Sequence, residues 1–380
     1  PWASLSMPPW LPLPGDGSAE WGPYIAPDDQ PQMRNPANGF IGTANTDPLG
    51  TSFDGDPTNE PYGYVYSYGE FGGFRQDAVI RRIIDGGATH TPETMMDMQG
   101  DTFLVLRDWI LPHVQAVVDT TTLGTDAQDF WNTLQGWDGK CPSGIDGRDP
   151  MGPKTADATI AASSIGCAAF HFLVFEMTRA TFDDELSRTS VDYDSSYAVR
   201  TLVVLLNDSA RLQGGDAYWD NTLTDGPPET RESITLGAIQ AATDKIRTDL
   251  GTDYDDWRWG RVHTVLFFAN LFNNAGFQQY NEGPYAAPGG LHAINVADPR
   301  NPSADNWGFS HGPSMRHVSE FGADGITSHW TLPGGQRHFR DSPHYDDWLD
   351  DWLSVTHFQM PFTAADVTAA ATETIEVVPR

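Results

Sequence analysis

The stretch NPANGFIGTANTDP, residues 35–48, places Asn45 where a glycine-punctuated apolar run gives way to turn residues. A carboxamide is neutral and donates two N–H bonds without having to be protonated, so it can bind an electron-rich oxygen atom. The same pattern has an ordinary explanation, because small and apolar residues followed by Asn-x-Asp-Pro are typical of a buried strand that runs into a turn. Taken alone, the stretch favours the ordinary explanation.

Arg75 is a second candidate, because it lies in the first turn of a predicted helix. The run FRQDAVIRRIIDGG, which begins at Phe74, has apolar residues at helical spacing and ends on two glycines. The first turn of a helix favours an acidic side chain over a basic one. A surface charge is the simplest explanation for Arg75, and its misfit with the helix dipole favours a functional role.

Other reactive side chains form no recognisable site. The histidines near the C-terminus lack the short paired spacing of a metal site; they are His311, His317, His329, His338 and His344. We expect His344, within Ser-Pro-His-Tyr, to hydrogen-bond a loop into place. Pairs such as Asp183-Asp184 and Asp346-Asp347 resemble a glycosidase acid and base, but a chain with 40 aspartates contains such pairs by chance. Cys141 and Cys167 either pair across a loop, which would suit an exported protein, or stay free.

The elements that would position these residues follow a β, helical, β order. Residues 1–74 are predicted as loops with a short β segment that ends on Asn45, residues 75–250 as a helical region, and residues 251–380 as a β-rich return. One helical pattern is opened by Thr91 and runs to Val118, and another, over residues 155–180, would be buried nearly all round. The β-like runs of the last part are VHTVLFFANLF, GGLHAINVAD, SMRHVSEF and ITSHWTL. This order predicts an α+β fold in which strands distant in sequence meet in one sheet.

Composition excludes several partner classes. Hydrophobic residues make up 39% of the chain, and by inspection no apolar run approaches the ~20 residues of a membrane span, so we expect no membrane insertion. The 52 acidic residues against 22 basic ones give a net charge of −30, which repels nucleic acid and anionic membranes. Aspartates outnumber glutamates 40 to 12 and only three lysines occur. Short carboxylates with few lysines suit concentrated salt, where charge repulsion is screened, so we expect a halophilic source.

Several stretches, taken in order, resemble the penicillin acylase family of N-terminal-nucleophile hydrolases. The first part of the match is Leu11-Pro-Leu-Pro-Gly15, then a tryptophan, Asn35-Pro36 and Gly39-Phe-Ile-Gly-Thr-Ala-Asn45. The helical part matches at Phe74-Arg75, Arg81-Arg82-Ile83-Ile84, Trp137-Asp-Gly139 and Trp257-Arg-Trp-Gly-Arg-Val-His263. The last matches are Gly312-Pro-Ser-Met-Arg316, Gly334-Gly-Gln and Ser342-Pro-His-Tyr345. Each match is short, and their shared order across nearly the whole chain makes the resemblance specific.

The resemblance implies a fold and two site residues. The chain would be the C-terminal part of a β subunit, forming part of a four-layer αββα sandwich with a large helical insertion over 75–250. By this resemblance, Asn45 would donate a hydrogen bond to the oxyanion formed when the family's N-terminal nucleophile attacks an amide carbonyl. Arg75 would fix the Asn45 carboxamide and lower the pKa of the terminal amine that serves as the base.

The resemblance also implies a possible site for a structural calcium ion, and it implies no organic cofactor. In the family, one ligand is the carbonyl of the proline that heads the Pro-rich loop, and Pro9 has that place here. A further aspartate ligand of the family falls at Tyr64 in an ungapped count, so Asp54, Asp56 or Glu60 would have to substitute. A calcium ion needs 6–8 oxygen ligands, most of which would come from sequence outside this chain.

The nucleophile is expected elsewhere, because Pro1 has neither a hydroxyl nor a thiol. We expect partners in an upstream α subunit and the N-terminal part of the β subunit, export from the cytoplasm, and no activity from these 380 residues alone. The complete enzyme would hydrolyse a linear amide, with a β-lactam side chain, an N-acyl homoserine lactone or another acylated amine as substrate. The alternatives are a non-catalytic binding protein on the same scaffold and, less in keeping with the motifs, an acidic glycoside hydrolase.

Overall fold

Most of the described helices precede the strands along this chain. The computed structural model describes residues 12–20, 22–46, 73–87, 89–186, 196–211, 214–268, 278–300, 306–309, 311–323, 325–337 and 339–378. The helices are α1 (Phe74–Gly86), α2 (Pro92–Gln99), α3 (Leu106–Val118), α4 (Thr125–Gln135), α5 (Ala158–Leu186), α6 (Ser196–Asp208), α7 (Arg231–Leu250), α8 (Leu349–Leu353) and α9 (Ala364–Ala370). The strands are β1 (Thr264–Phe267), β2 (Glu282–Ala286), β3 (Arg316–Gly322), β4 (Gly325–Thr331) and β5 (Phe358–Met360). The predicted mixture of helix and sheet is confirmed, and the three-part division of the chain stays a prediction.

Helix α5 forms the centre of the hydrophobic core and packs against α4, α6 and α7. Its buried residues lie on every side of the helix, as predicted for residues 155–180. The expectation that no apolar stretch approaches a membrane span is wrong for α5, where an 18-residue window has a mean hydropathy of 1.7. Polar residues interrupt the apolar sequence of α5, but they can be buried because their side chains hydrogen-bond within the helix. Thr178 Oγ1, for example, donates to the Val174 carbonyl at 2.8 Å. Because 67% of that window is buried inside the protein, α5 has the character of a core helix.

The region predicted as one helical pattern from Thr91 to Val118 forms two helices, α2 and α3. Thr91 begins α2 through a capping box, accepting from the Thr94 N–H at 3.3 Å while its own N–H donates to Thr94 Oγ1 at 2.9 Å. The pattern breaks at Gly100. There the Asp101 carboxylate accepts the Phe103 N–H at 2.9 Å, an Asx turn that replaces helical hydrogen bonds.

The strands form two antiparallel sheets in the described part of the chain. β1 pairs with β2, and β3, β4 and β5 form a three-stranded meander in that order. The β3–β4 hairpin pairs Arg316 with Thr331 at one end and Gly322 with Gly325 at the turn.

The run GGLHAINVAD, predicted to be β-like, is a loop, and residues 289–298 are called the platform loop below. Its single β-type contact is a bridge between Gly290 and Val296. The backbone turns left-handed at Gly289, with φ of 95°, and at His292, with φ of 60°, which prevents an extended strand.

The two cysteines are joined. Cys141 and Cys167, 26 residues apart in sequence, form a disulfide that ties the segment after α4 to α5. The Cys141 carbonyl accepts the N–H of Gly289 at 2.8 Å, so the bridge also borders the platform loop. Of the two alternatives that the sequence left open, the structure contains the paired one.

Candidate active site

Asn45 lies in an irregular segment rather than at the end of a strand. Within the described ranges no strand pairs with residues 39–45, so the ladder of hydrogen bonds that defines a strand does not form there. Asn45 is exposed and has a left-handed backbone with φ of 55°, a conformation that asparagine tolerates better than most residues.

Arg75, in the first turn of α1, hydrogen-bonds to this segment. Its Nη2 donates to the Ala44 carbonyl at 3.1 Å and also donates to Asn45 Oδ1. The next side chain, Gln76, donates from Nε2 to the Gly42 carbonyl at 2.9 Å. The structure thus brings the two predicted site residues together, and their roles stay predictions.

The hydrogen bond from Arg75 determines what the Asn45 carboxamide can offer. Since a guanidinium only donates, the atom it contacts must be the oxygen of the amide, which settles the orientation of the group. The other arm of the amide, Nδ2, then remains as a two-proton donor. Preorganised neutral donors of this kind are used by enzymes to stabilise a developing oxyanion.

Charge at the site is influenced from a distant part of the sequence. Burial lowers the pKa of the Arg75 guanidinium below its usual value, and the negative charge of Asp298 opposes that shift. Asp298 belongs to the platform loop, whose His292 ring lies 5.4 Å from the ring of Phe74, the residue before Arg75. No motif links residues this far apart in the chain, so these neighbours could not be predicted from the sequence.

The predicted calcium ligand cannot be placed. Pro9 lies outside the described residues, as do Tyr64 and the possible substitutes Asp54, Asp56 and Glu60. Calcium therefore stays a prediction.

The histidines that the structure describes at buried positions have structural partners. His171 is fully buried, with Nδ1 donating to the Cys167 carbonyl at 2.9 Å and Nε2 accepting the Leu291 N–H at 3.1 Å. Its atoms lie near both cysteine sulfurs, in a group of potential metal ligands, but the disulfide removes the thiolates that a metal would need. His344 Nδ1 contacts Asp347 Oδ2 at 2.8 Å within its own loop, which confirms the predicted loop contact.

One carboxylate pair has unusual proton affinity and is structural. Burial and the adjacent Asp184 raise the pKa of Glu185 to about 7. Asp184 Oδ2 accepts from Thr222 through its N–H at 2.7 Å and its hydroxyl at 2.9 Å, so it holds that turn against the end of α5. Carboxylates on consecutive residues do not flank a glycosidic bond at the ~5–9.5 Å that glycosidases use.

Comparisons with known proteins agree with the resemblance seen in the sequence. The sequence model of the penicillin amidase family matches residues 2–369. The acyl-homoserine lactone acylase QuiP of Pseudomonas aeruginosa is 24% identical over 376 residues, covering 93% of this chain and 41% of that protein. Its counterpart in Pseudomonas putida is 24% identical over 369 residues, covering 92% of this chain and 41% of that protein.

A solved structure has a similar fold. The thermostable penicillin G acylase from Alcaligenes faecalis matches with a TM-score of 0.58 at 16% identity, covering 97% of this chain and 62% of that chain. The chain spans only 41% of the length of the curated relatives named above. Because the family match extends over nearly all of the sequence, this chain belongs to the penicillin amidase family.

Proposed function

We propose that the complete protein is an amidohydrolase that cleaves a linear amide, with Asn45 as a hydrogen-bond donor to the tetrahedral oxyanion. The observation that carries this proposal is the contact of Arg75 with Asn45 Oδ1, which fixes the amide and leaves Nδ2 without a hydrogen-bond acceptor among the described residues. Family membership supports the reaction class.

The mechanism assigns separate tasks to the two residues. A nucleophile attacks the amide carbonyl, negative charge collects on its oxygen, and Asn45 Nδ2 donates to that oxygen. Arg75 draws electron density from Asn45 Oδ1, which makes the Nδ2 protons stronger donors. The amine then leaves, and water hydrolyses the acyl-enzyme. We propose that the nucleophile, a serine or a similar residue with its own α-amine as base, comes from sequence N-terminal to Pro1.

Among the substrates that the sequence leaves open, an N-acyl homoserine lactone is the first to test. The curated relatives carry that substrate in their names, and they cover most of this chain. A β-lactam side chain and other acylated amines remain the next candidates.

Further features of the complete protein are proposals of the same kind. We propose that the strands join a four-layer αββα sandwich with upstream sequence, and that an α subunit and the N-terminal part of the β subunit complete the enzyme. The disulfide supports export, and the net charge of −30 supports a salt-rich habitat. A structural calcium ion involving Pro9 is part of this proposal, and no step of the mechanism depends on it.

The test uses the full-length protein with N-acyl homoserine lactones and penicillin G, and measures the release of free amine. Asn45→Gly removes the carboxamide and fits the left-handed backbone, whereas Asn45→Ala adds strain at the same place. Loss of one oxyanion donor lowers kcat by about 10²–10³, so both variants should lose activity to that extent while staying folded.

The matched control is Asn35→Gly. Asn35 also has a left-handed backbone, with φ of 49°, and lies in the same region of the chain. Full activity of both Asn45 variants would remove the oxyanion assignment. Absence of amide hydrolysis in the complete wild-type protein, with ligand binding retained, would favour the non-catalytic binding protein instead.

A further inference from the structure

Arg316, the first residue of β3, is a buried cation that contacts no carboxylate in the described part of the chain. It is only 3% exposed. Its Nη1 donates to the Trp352 carbonyl at 2.5 Å, and its Nη2 donates to Asn295 Oδ1 at 2.8 Å. Both acceptors are neutral. Burying a charge without an opposite charge is unfavourable, because neutral hydrogen bonds replace only part of the lost hydration.

The surroundings of the Arg316 guanidinium leave one of its nitrogens unused. Burial lowers the pKa of this group to about 10. The guanidinium carbon lies 4.4 Å from the centre of the Trp352 ring, so one face of the cation packs on an aromatic ring. The remaining nitrogen, Nε, is buried and has no hydrogen-bond partner among the described residues. The guanidinium therefore lacks an acceptor at Nε and a negative charge nearby.

The strand next to Arg316 presents two further polar groups without partners. Thr331 lies directly opposite Arg316 in the β3–β4 hairpin, so the two side chains project to the same face with ~4.5–5.5 Å between their Cβ atoms. Thr331 is fully buried, and its Oγ1 has no hydrogen-bond partner in the described ranges. His329, two residues earlier on β4, projects to that face as well. Its Nδ1 is likewise a buried atom without a described partner.

These three groups can all donate hydrogen bonds. The Arg316 Nε–H only donates, the Thr331 hydroxyl can donate, and His329 Nδ1 donates in the tautomer that carries its proton there. A buried water molecule would give these groups a partner, but it would leave the charge of Arg316 without compensation. A monovalent anion provides both the acceptor and the opposite charge. A chloride ion is compact and accepts hydrogen bonds from several directions.

We propose that Arg316, Thr331 and His329 bind a chloride-sized monovalent anion, at a position called the anion site below. The anion site takes no part in the proposed amide cleavage, and it does not depend on that activity. Because Arg316 also binds Asn295 of the platform loop, a bound anion would stabilise this loop together with the hairpin. The salt-rich habitat proposed from the net charge of −30 would keep the site filled.

Thermal unfolding of the full-length protein measures the binding when sodium chloride replaces sodium gluconate at constant ionic strength. Both solutions screen charge equally, so general screening does not change along the series. A chloride ion that binds the folded protein raises the midpoint temperature of unfolding, and the dependence on chloride gives its dissociation constant. The response of a variant that lacks the site is subtracted, because the two anions also differ in their general effect on stability.

Thr331→Val is that variant, because it keeps the shape of the side chain and removes the hydroxyl. We expect it to bind chloride about 10-fold more weakly or less still, the effect of losing one hydrogen bond to a charged group. Thr331→Ser keeps a hydroxyl and should retain most of the affinity. The matched control is Ser328→Ala on the same strand. Ser328 is buried, faces the other side of the sheet and already contacts Ser319 Oγ at 2.7 Å, so this variant should respond to chloride as the wild type does.

Crystals of the full-length protein soaked in sodium bromide locate the anion by its anomalous scattering. We expect a bromide peak in contact with Arg316 Nε and Thr331 Oγ1, and a weaker peak in Thr331→Val. The proposal is overturned if that position holds only water, or a carboxylate from another part of the protein. It is also overturned if the wild type and Thr331→Val respond identically to chloride. Should Thr331→Val not fold, the presence or absence of the wild-type bromide peak decides alone.

Discussion

Loss of the disulfide should destabilise this protein by a predictable amount. The bridge joins Cys141 and Cys167 across a separation of 26 residues. In the chain-entropy description, closing a loop of that length restricts the unfolded chain and contributes about 3.5 kcal/mol at room temperature. We therefore expect reduction of the bridge to lower the free energy of unfolding by about that amount, and the double variant Cys141→Ala/Cys167→Ala to lower it by more.

Urea unfolding followed by circular dichroism measures this loss. The wild type should be measured oxidised and after reduction with dithiothreitol, beside the double alanine variant under both conditions. Reduction keeps the sulfur atoms in the buried site, so it reports the cross-link itself, whereas the alanine variant adds the cost of the space left by two fully buried sulfurs. The variant should be insensitive to dithiothreitol, which controls for effects of the reductant.

The reasoning also predicts where the damage appears. The Cys141 carbonyl and His171, which Cys167 holds, both bind the platform loop. Amide hydrogen exchange should therefore accelerate in residues 289–298 at reductant concentrations that leave the protein folded. The estimate is refuted if reduction lowers the free energy of unfolding by less than about 1 kcal/mol, well below the typical range for native disulfides. Unchanged exchange in the loop would refute the structural link.

Three further predictions concern charge. Burial lowers the pKa of His171 from 6.5 to about 3. Between these two pH values the unfolded chain binds a proton that the folded protein excludes. The free energy of unfolding therefore falls as the pH falls through this window, by up to about 1.4 kcal/mol per pH unit. His171→Phe should flatten this slope in acid unfolding curves, and an unchanged slope would show that other groups cause it. Arg75→Lys keeps the positive charge but loses the planar guanidinium. Because a charge-assisted hydrogen bond contributes about 1.5–3 kcal/mol, this variant of the complete enzyme should have a kcat lower by about 10-fold or more. A kcat equal to that of the wild type would contradict this prediction. Raising sodium chloride from about 0.1 M to about 1 M shortens the Debye length from ~10 Å to ~3 Å. Because this screens the repulsion within a chain of net charge −30, the midpoint temperature of thermal unfolding should rise. A falling midpoint would contradict the halophilic interpretation.

The meeting of Asn45 and Arg75 could be predicted because each side of the contact leaves a local signal. The helical spacing after Phe74 placed Arg75 in a first turn, and α1 begins at that residue. The turn residues Asn-x-Asp-Pro, which begin at Asn45, predicted a change of direction there, and the left-handed backbone of Asn45 provides it. What joined the two was the ordered family resemblance, since spacing alone does not bring residues 30 positions apart into contact.

The failures share a physical cause, which is that local patterns do not report tertiary partners. The runs ending on Asn45 and spanning residues 289–298 have strand-like letters, but a strand exists only where a neighbour completes its hydrogen bonds. The platform loop instead gives its backbone groups to side chains such as His171 and to the Cys141 and Asp101 carbonyl groups. The sequence pattern does not reveal helix α5 as one long apolar stretch, because serines, threonines and His171 interrupt it. These side chains satisfy their hydrogen bonds inside the core.

The charges around Asn45 indicate why a neutral amide, and not the arginine, should contact the oxyanion. A bare guanidinium beside the reacting carbonyl would also bind the carboxylate product and slow its release, because it attracts any anion. Arg75 is held by its hydrogen bonds to Asn45 Oδ1 and the Ala44 carbonyl, and the negative charge of Asp298 opposes the lowering of its pKa by burial. In the proposed mechanism the cation would act mainly by polarising the carboxamide, and this effect would be strongest on an oxygen atom within hydrogen-bonding distance of Nδ2. Such a site would favour the tetrahedral intermediate over the anions that surround a strongly acidic protein.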